Sequence, residues 1–339
     1  MTSWGVVATV DEPPELIAAF AAYHVAIGAR EVRLYFDTPN PEARALLAHI
    51  PEVIITECDD AYWAASPKGQ RFPRQTNRQM VNANHAYERA NVTWLLHSDA
   101  DEYVRDGAAL TQALGEISPE ADVVRLLVLE RLRRPHDPGA HLFEGVFRRW
   151  DREHGQRKDE IYGRYTKFLN LGMAGHRIGK SLARTGRGLD MQVHIHAQEN
   201  GERVVLAPRI PGLLLHFDGM TRLHFLLKML KRNAYKHYSQ GQNPDGNERG
   251  HQARFVLNNA TKPKPLERFA DGLQGATNAQ LAQLKALDLV IDAPFDPRPD
   301  IAKMGVEIDL TPARFDARLL EKDAKVISDY GFSYRGLAP

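Results

Sequence analysis

Between Trp4 and Leu129, short apolar runs alternate with segments of helical periodicity, and this alternation constrains the fold more than any other property of the chain. Trp4 to Val10 reads as a strand closed by Asp11-Glu12-Pro13-Pro14, where proline and acids suit the first turn of a helix. Leu16, Ile17, Phe20, Tyr23 and Ile27 then recur at helical spacing, and Gly28 marks the stop. Glu31 to Phe36 is a second strand, Pro41 to Ile50 a second helix, and Val53 to Glu57 a third strand. A helix over Arg74 to Arg89 leads to a strand at Val92 to Leu96, a helix at Ala108 to Ile117, and a strand at Val123 to Leu129. Repeated β-α-β order implies an α/β fold: a Rossmann-like, mainly parallel central sheet with helices on both faces.

Beyond this frame the pattern weakens. Arg131 to Arg164 is rich in Arg, His, Gly and Pro and is expected to form a long loop over the crevice. Tyr165 to Leu215 is expected to add shorter strands. A basic amphipathic helix follows, with Leu223, Leu226, Leu227 and Leu230 on one face and Arg222, Lys228, Lys231, Arg232 and Lys236 largely elsewhere. The last eighty residues read as extended segments with two helices, near Gln280 to Leu289 and Arg314 to Tyr330. The domain expectation is therefore a catalytic domain over 1–215 and a C-terminal helical extension over 216–339 packed on it.

Composition narrows the class. Basic residues (44) and acidic residues (43) nearly cancel, so nucleic acid is not the expected partner. The single cysteine, Cys58, excludes an internal disulfide. The N-terminal stretch lacks the basic and apolar regions of a signal peptide, and no run reaches the roughly 18 apolar residues of a membrane span. A cytoplasmic enzyme is expected, with peripheral membrane contact open through the basic helix.

In a parallel sheet, ligands sit beyond the carboxyl ends of the strands. Polar residues there are Asp11, Asp37, Asp99-Ala100-Asp101 and Glu130. Two carboxylates at i and i+2 beyond an apolar strand can both reach one divalent cation, and hard oxygen ligands suit Mn²⁺ or Mg²⁺ held jointly with substrate phosphates. A solvated turn is the competing reading. His216, after Leu213-Leu214-Leu215, is a candidate third metal ligand or a hydrogen-bonded core histidine. His194 and His196 share a strand face, but nothing nearby completes a zinc set. Ala174 to Ser181 nearly spells a phosphate loop, yet Leu182-Ala-Arg-Thr-Gly-Arg-Gly cannot propagate a helix. Lys180 and Arg184 are instead cations on a strand or loop, facing a diphosphate or solvent.

Several of these pieces, in order, resemble the family 2-like glycosyltransferases with a GT-A fold, in particular the branch related to family 92. They are Asp11-Glu12, Tyr23-His24 before Gly28, Asp37, Trp94-Leu-Leu-His-Ser-Asp-Ala-Asp-Glu-Tyr, Gly179-Lys180-Ser181, Arg184, His196, and His216-Phe217 before a lysine-bearing helix. Thr38-Pro39 departs from the polar run usual there. The resemblance implies a GT-A nucleotide-sugar domain, a nucleotide-sugar donor with UDP ahead, a divalent metal, inversion at the anomeric carbon, and a hexosyltransferase working in polysaccharide biosynthesis on a glycan or glycolipid acceptor.

The residues suit that chemistry. A nucleoside diphosphate leaving group develops negative charge that a Lewis acid and cations stabilise. Asp101 would ligate the metal, and Asp99 would ligate it or orient the ribose. Asp11 and Asp37 would contact base and ribose, or be plain turn residues. Arg74 and Arg78, one helical turn apart, would reach the diphosphate or line a solvated face. A general base is also required. Asp218 is the first choice, ahead of Glu130, with Glu160 and Asp151 as further candidates. Two alternatives stand beside this reading: an Asp-X-Asp phosphotransferase or phosphatase using Asp99 as nucleophile, and a non-catalytic nucleotide-sugar binder.

Overall fold

A computed structural model describes residues 2–134, 139–192, 204–234, 248–291 and 294–334. In chain order the elements are β1 (Trp4–Val10), α1 (Pro14–Ala26), β2 (Val32–Phe36), α2 (Pro41–Leu47), β3 (Val53–Glu57), α3 (Asp60–Ala64), α4 (Gln75–Tyr87), β4 (Trp94–His97), β5 (Glu102–Val104), α5 (Gly107–Gly115) and β6 (Val123–Leu132). There follow β7 (Val146–Arg149), α6 (Arg152–Tyr162), a 3-10 turn (Gly163–Phe168), β8 (Lys180–Arg184), β9 (Ile210–His216), α7 (Arg222–Ala234), α8 (Glu248–Asn258), α9 (Pro263–Gln274), α10 (Asn278–Ala286), β10 (Val290–Ile291), α11 (Arg298–Lys303), α12 (Pro312–Lys322) and α13 (Ala324–Asp329). The chain divides into two compact units, the first from 1–128, 178–215 and 297–308, the second from 129–177, 216–296 and 309–339.

In the first unit, β3, β2, β1 and β4 lie side by side and parallel, as the alternating pattern requires. Antiparallel β8 and the first half of β6 extend the sheet beyond β4. Every residue of β1 is buried, so both faces are covered. Val7 packs with Ala83 and Ala86 of α4 on one face. On the other, the Trp4 ring lies edge-on to His24 of α1, and its indole N–H donates to Thr111 of α5 at 3.1 Å. His24 is locked as the Nδ1–H tautomer, donating to the Phe20 carbonyl at 2.8 Å while Nε2 accepts the Val104 amide at 3.2 Å. Burial lowers its pKa to about 4, so it packs as a neutral ring.

In the second unit the far half of β6 pairs with β7, and β7 with β10, all antiparallel. Phe168, Phe255 and Phe269 stack among the 3-10 turn, α8 and α9. Leu223, Leu226, Leu227 and Leu230 of α7 are all buried, the ordinary outcome for an amphipathic helix.

Two expectations are corrected here. The span from Arg131 to Arg164, expected as a long loop, holds the end of β6, all of β7 and α6. Its arginines disguised it: Arg148 is wholly buried in β7, paired with Glu130, and so occupies a core position that an apolar pattern cannot reveal. The C-terminal region holds α9 to α13 rather than two helices, and the segment from Arg314 to Tyr330 breaks at Asp323, between α12 and α13. His194, His196 and Lys236 lie outside the described residues.

Candidate active site

Strand order in the first unit sets the location. From β1 the chain steps to β2 and β3 on one side, while β4 lies on the other, so the direction of winding reverses between β1 and β4. A sheet opens a crevice beyond the carboxyl ends at such a point. Asp11 follows β1 and Ser98-Asp99 follows β4. Asp37, after β2, is the next strand end along.

These ends are tied together. The Thr38 hydroxyl donates to Asp11 Oδ1, and the Asp11 amide donates to Glu12 Oε2 at 2.8 Å. Asp37 receives Arg78 in fork geometry, with Nε 2.9 Å from Oδ1 and Nη2 2.8 Å from Oδ2. Arg78 Nη1 donates to the carbonyls of Phe72 and Pro73, each at 2.9 Å. Arg78 is therefore neither a solvated helix residue nor an open cation: it is buried, and its guanidinium clamps Asp37 and the loop before α4. Arg71, which is more exposed, also reaches Asp37 Oδ1 at 2.8 Å. Arg74 stands at the N-cap position of α4.

The Asp-Ala-Asp segment is more elaborate than its spacing suggested. Asp99 Oδ1 accepts Gln79 Nε2 at 2.6 Å, and Oδ2 accepts Lys180 Nζ at 2.7 Å. Lys180 also lies 3.2 Å from Glu102 Oε2, and both Lys180 and Glu102 are fully buried. Glu102 Oε2 in turn accepts the Asp99 amide at 2.9 Å and the Ser98 hydroxyl at 3.3 Å. Gly179 delivers the lysine: its φ is +84°, and a Cβ there would stand 1.9 Å from the Leu126 carbonyl oxygen. Burial pulls the Lys180 ammonium down, but Asp99 and Glu102 outweigh it and hold its pKa above the usual lysine value. His97, buried next to this cluster, is pushed down to about 4 by desolvation and then by the Lys180 charge. Asp101 is 5% exposed, and the Tyr103 hydroxyl is raised well above its usual value by burial and then by that carboxylate.

The first unit thus brings Asp11, Asp37, Arg78, Asp99, Asp101 and Lys180 to the carboxyl ends of the sheet. It does not bring Arg184 there. Arg184 pairs in register with Trp94, at the opposite end of β4, where it stacks on the indole and donates to the Ala121 and Ser118 carbonyls. Lys180 is committed to Asp99 and Glu102 rather than held open for a diphosphate. Gln79, Glu102 and Arg71 were not among the predicted site residues, although Gln79 follows Arg78 on α4 and Glu102 follows Asp101 in the quoted motif.

The remaining candidates belong to the second unit. Asp218 adopts φ +47° and is 1% exposed, gripped by Arg249, with Nη1 2.9 Å from Oδ2. Burial raises its pKa, but Arg249 foremost, then His216 and Lys228, lower it below the usual carboxylate range. Glu130 is 1% exposed, paired with Arg148, and accepts the Ala174 and Gly175 amides at 2.8 and 2.5 Å. Both carboxylates are thus buried and held in ion pairs rather than open to an acceptor hydroxyl. His216 is 4% exposed, its Nδ1 has no hydrogen-bond partner, and its ring lies 5.0 Å from that of His176.

No family model matches the chain, and no curated protein does. Among solved structures, S. aureus TarS 1–349 aligns over 97% of this chain and 89% of its own length, at 12% identity and a TM-score of 0.31. CMP:2-keto-3-deoxy-manno-octonic acid synthetase complexed with CTP aligns over 54% of this chain and 74% of its own, at 13% identity and a TM-score of 0.27. Superpositions this loose establish neither a family nor an activity.

Proposed function

We propose that this chain is a metal-dependent, inverting glycosyltransferase of GT-A type that takes a nucleoside-diphosphate sugar, UDP-linked, to a glycan or glycolipid hydroxyl. The observation that carries the reading is the placement of Asp11 and Asp99 on either side of the reversal between β1 and β4. A nucleotide lying there meets strand-end carboxylates for its base and ribose, and Asp99 and Asp101 for a cation beneath the diphosphate.

The donor set fits a hard dication. Asp99, Asp101 and Glu102 supply oxygen ligands only, the ligand type that Mn²⁺ and Mg²⁺ favour. Asp99 and Asp101 would hold Mn²⁺ or Mg²⁺, which when bound offsets the charge growing on the departing diphosphate. Lys180 and Gln79 fix the Asp99 carboxylate in one orientation, and Arg78 does the same for Asp37. Arg71, the more exposed of the two arginines on Asp37, is the guanidinium best placed to meet phosphate oxygens.

The test is nucleotide release by the purified chain from a panel of sugar nucleotides with Mn²⁺, alongside thermal shift with each donor. Transfer is expected to stop in EDTA and in Asp101→Asn. Activity surviving both, or no stabilisation by any donor, would overturn the reading. A second reading, donor binding without transfer, draws on the ion-paired state of Glu130 and Asp218. Tight donor binding with no release across a broad acceptor panel would select it. No helix among the described residues is long and apolar enough to cross a membrane.

A further inference from the structure

The near balance of basic and acidic residues hides a polarity between the units. Asp and Glu outnumber Lys and Arg in the first, and Lys and Arg outnumber Asp and Glu in the second. Part of the second unit's excess is gathered on one surface. Arg164 and Lys167 lie three apart in the 3-10 turn, where side chains at that spacing eclipse and so share a face. Lys264 and Arg268 lie four apart in α9, one helical turn along another shared face. The two elements are joined: the Tyr165 hydroxyl accepts Arg164 Nη2 at 2.9 Å and donates to the Arg268 carbonyl at 3.0 Å. All four cations are exposed.

Within the protein alone this grouping is unfavourable. Like charges one turn apart repel, and Lys264 in the first turn of α9 opposes the helix dipole, with no acid in that turn to offset it. Among the described residues, none of the four has a carboxylate within ion-pair distance; Glu267, the acid between Lys264 and Arg268, is partly buried and pairs with neither. The fold nonetheless sets their stems in place. Arg164 lies over the Tyr165 ring at 5.0 Å and Lys167 over the Phe168 ring at 5.1 Å, with the charged ends left to solvent.

We propose that this surface binds a linear polysaccharide carrying repeated anionic groups. The proposal rests on the glycan acceptor put forward above and adds that the glycan is a polyanion. Nucleic acid is the poorer fit, because the rings here are already covered: Tyr165 by Arg164 and by Gly272, where an added Cβ would stand 2.3 Å from the ring, and Phe168 by Phe255 and Phe269. A membrane is poorer too, since Leu257 is the only exposed large apolar side chain among the described residues of this unit.

The experiment is calorimetric titration of the full chain, without nucleotide, using dextran sulfate, polygalacturonate and neutral dextran, with single-stranded DNA and phosphatidylglycerol vesicles as further arms. At least one anionic glycan is expected to bind about tenfold or more tightly than dextran, and to weaken as salt is raised. Arg164→Ala combined with Arg268→Ala is expected to lower that affinity about tenfold. Lys303→Ala combined with Lys325→Ala removes the same charge from exposed positions elsewhere and is expected to lower it less than about twofold. Asp101→Asn is expected to bind the polyanion as the parent does. Nucleotide release without polyanion binding would overturn this proposal alone, whereas polyanion binding without nucleotide release would fault only the donor reading. Equal affinity for dextran and both anionic glycans, equal losses in the two double variants, or tighter binding to DNA or vesicles than to either anionic glycan would also overturn it.

Discussion

Replacing Lys180 by methionine tests the electrostatic core of the candidate site. Methionine keeps the volume and the strand position in β8 but removes the ammonium 2.7 Å from Asp99 and 3.2 Å from Glu102. The two carboxylates then differ. Asp99 has a side chain 31% exposed and can turn to water, whereas Glu102 is at 0% and cannot. Stripping a partner from a buried ion pair costs about 3–5 kcal/mol. The Asp99 amide and the Ser98 hydroxyl still donate to Glu102 and hold the cost near the lower end. A loss of about 3–5 kcal/mol corresponds to a drop in Tm of roughly 6–20 °C in a domain of a few hundred residues. Without its counter-charge Glu102 acquires a folded pKa above its unfolded value of about 4.3. Between those two values the folded variant binds more protons than the unfolded chain, so its stability falls as pH rises through that window. Chemical denaturation should therefore show a gap between parent and variant that is larger at pH 8 than at pH 5. Adding Glu102→Gln should recover at least half of it. A gap that is absent, independent of pH, or untouched by the second change would refute the claim that Lys180 neutralises Glu102.

Further outcomes follow from other contacts. Glu130→Gln leaves buried Arg148 without its countercharge and should cost about 3–5 kcal/mol by denaturation; a change under about 1 kcal/mol would mean the pair contributes nothing to stability. Gly175→Ala places a Cβ 2.6 Å from His216 Cε1 and 2.9 Å from Glu130 Oε2, so a loss of about 1–3 kcal/mol is expected. His24, His97 and His154 each have a folded pKa near 4 through burial, below the usual value, so the unfolded chain binds more protons between about pH 4 and 6.5. Stability should accordingly fall as pH drops through that window, and a thermal midpoint flat from pH 7 to 4.5 would contradict the neutral buried rings. Asp37→Asn should weaken donor binding in a thermal-shift titration, because Arg78 would lose the carboxylate it orients; unchanged donor stabilisation would remove Asp37 from the site.

The parallel half of the first unit was legible from residue pattern because each element there satisfies its own physics. Strands buried on both faces read as continuous apolar runs, their helices carry caps and apolar spacing, and the strand ends are marked by acids. Asp11, Asp37 and Asp99 were located on that basis alone. What the linear pattern lacked was the identity of their partners. Gln79, Glu102 and Lys180 converge on Asp99 only after α4, the turn beyond β4, and β8 are laid side by side, and Lys180 lies 81 residues from Asp99 in the chain. The second unit was the less readable part for a related reason. Buried arginines in ion pairs look like solvent-exposed residues until the pair is seen, so β7 was mistaken for loop, and Glu130 and Asp218 for open acids. Sequence alone determined where carboxylates leave the sheet, since backbone periodicity is a local property. Tertiary structure decided which of them are paired, because the counter-charge that sets a carboxylate's chemistry comes from elsewhere in the chain.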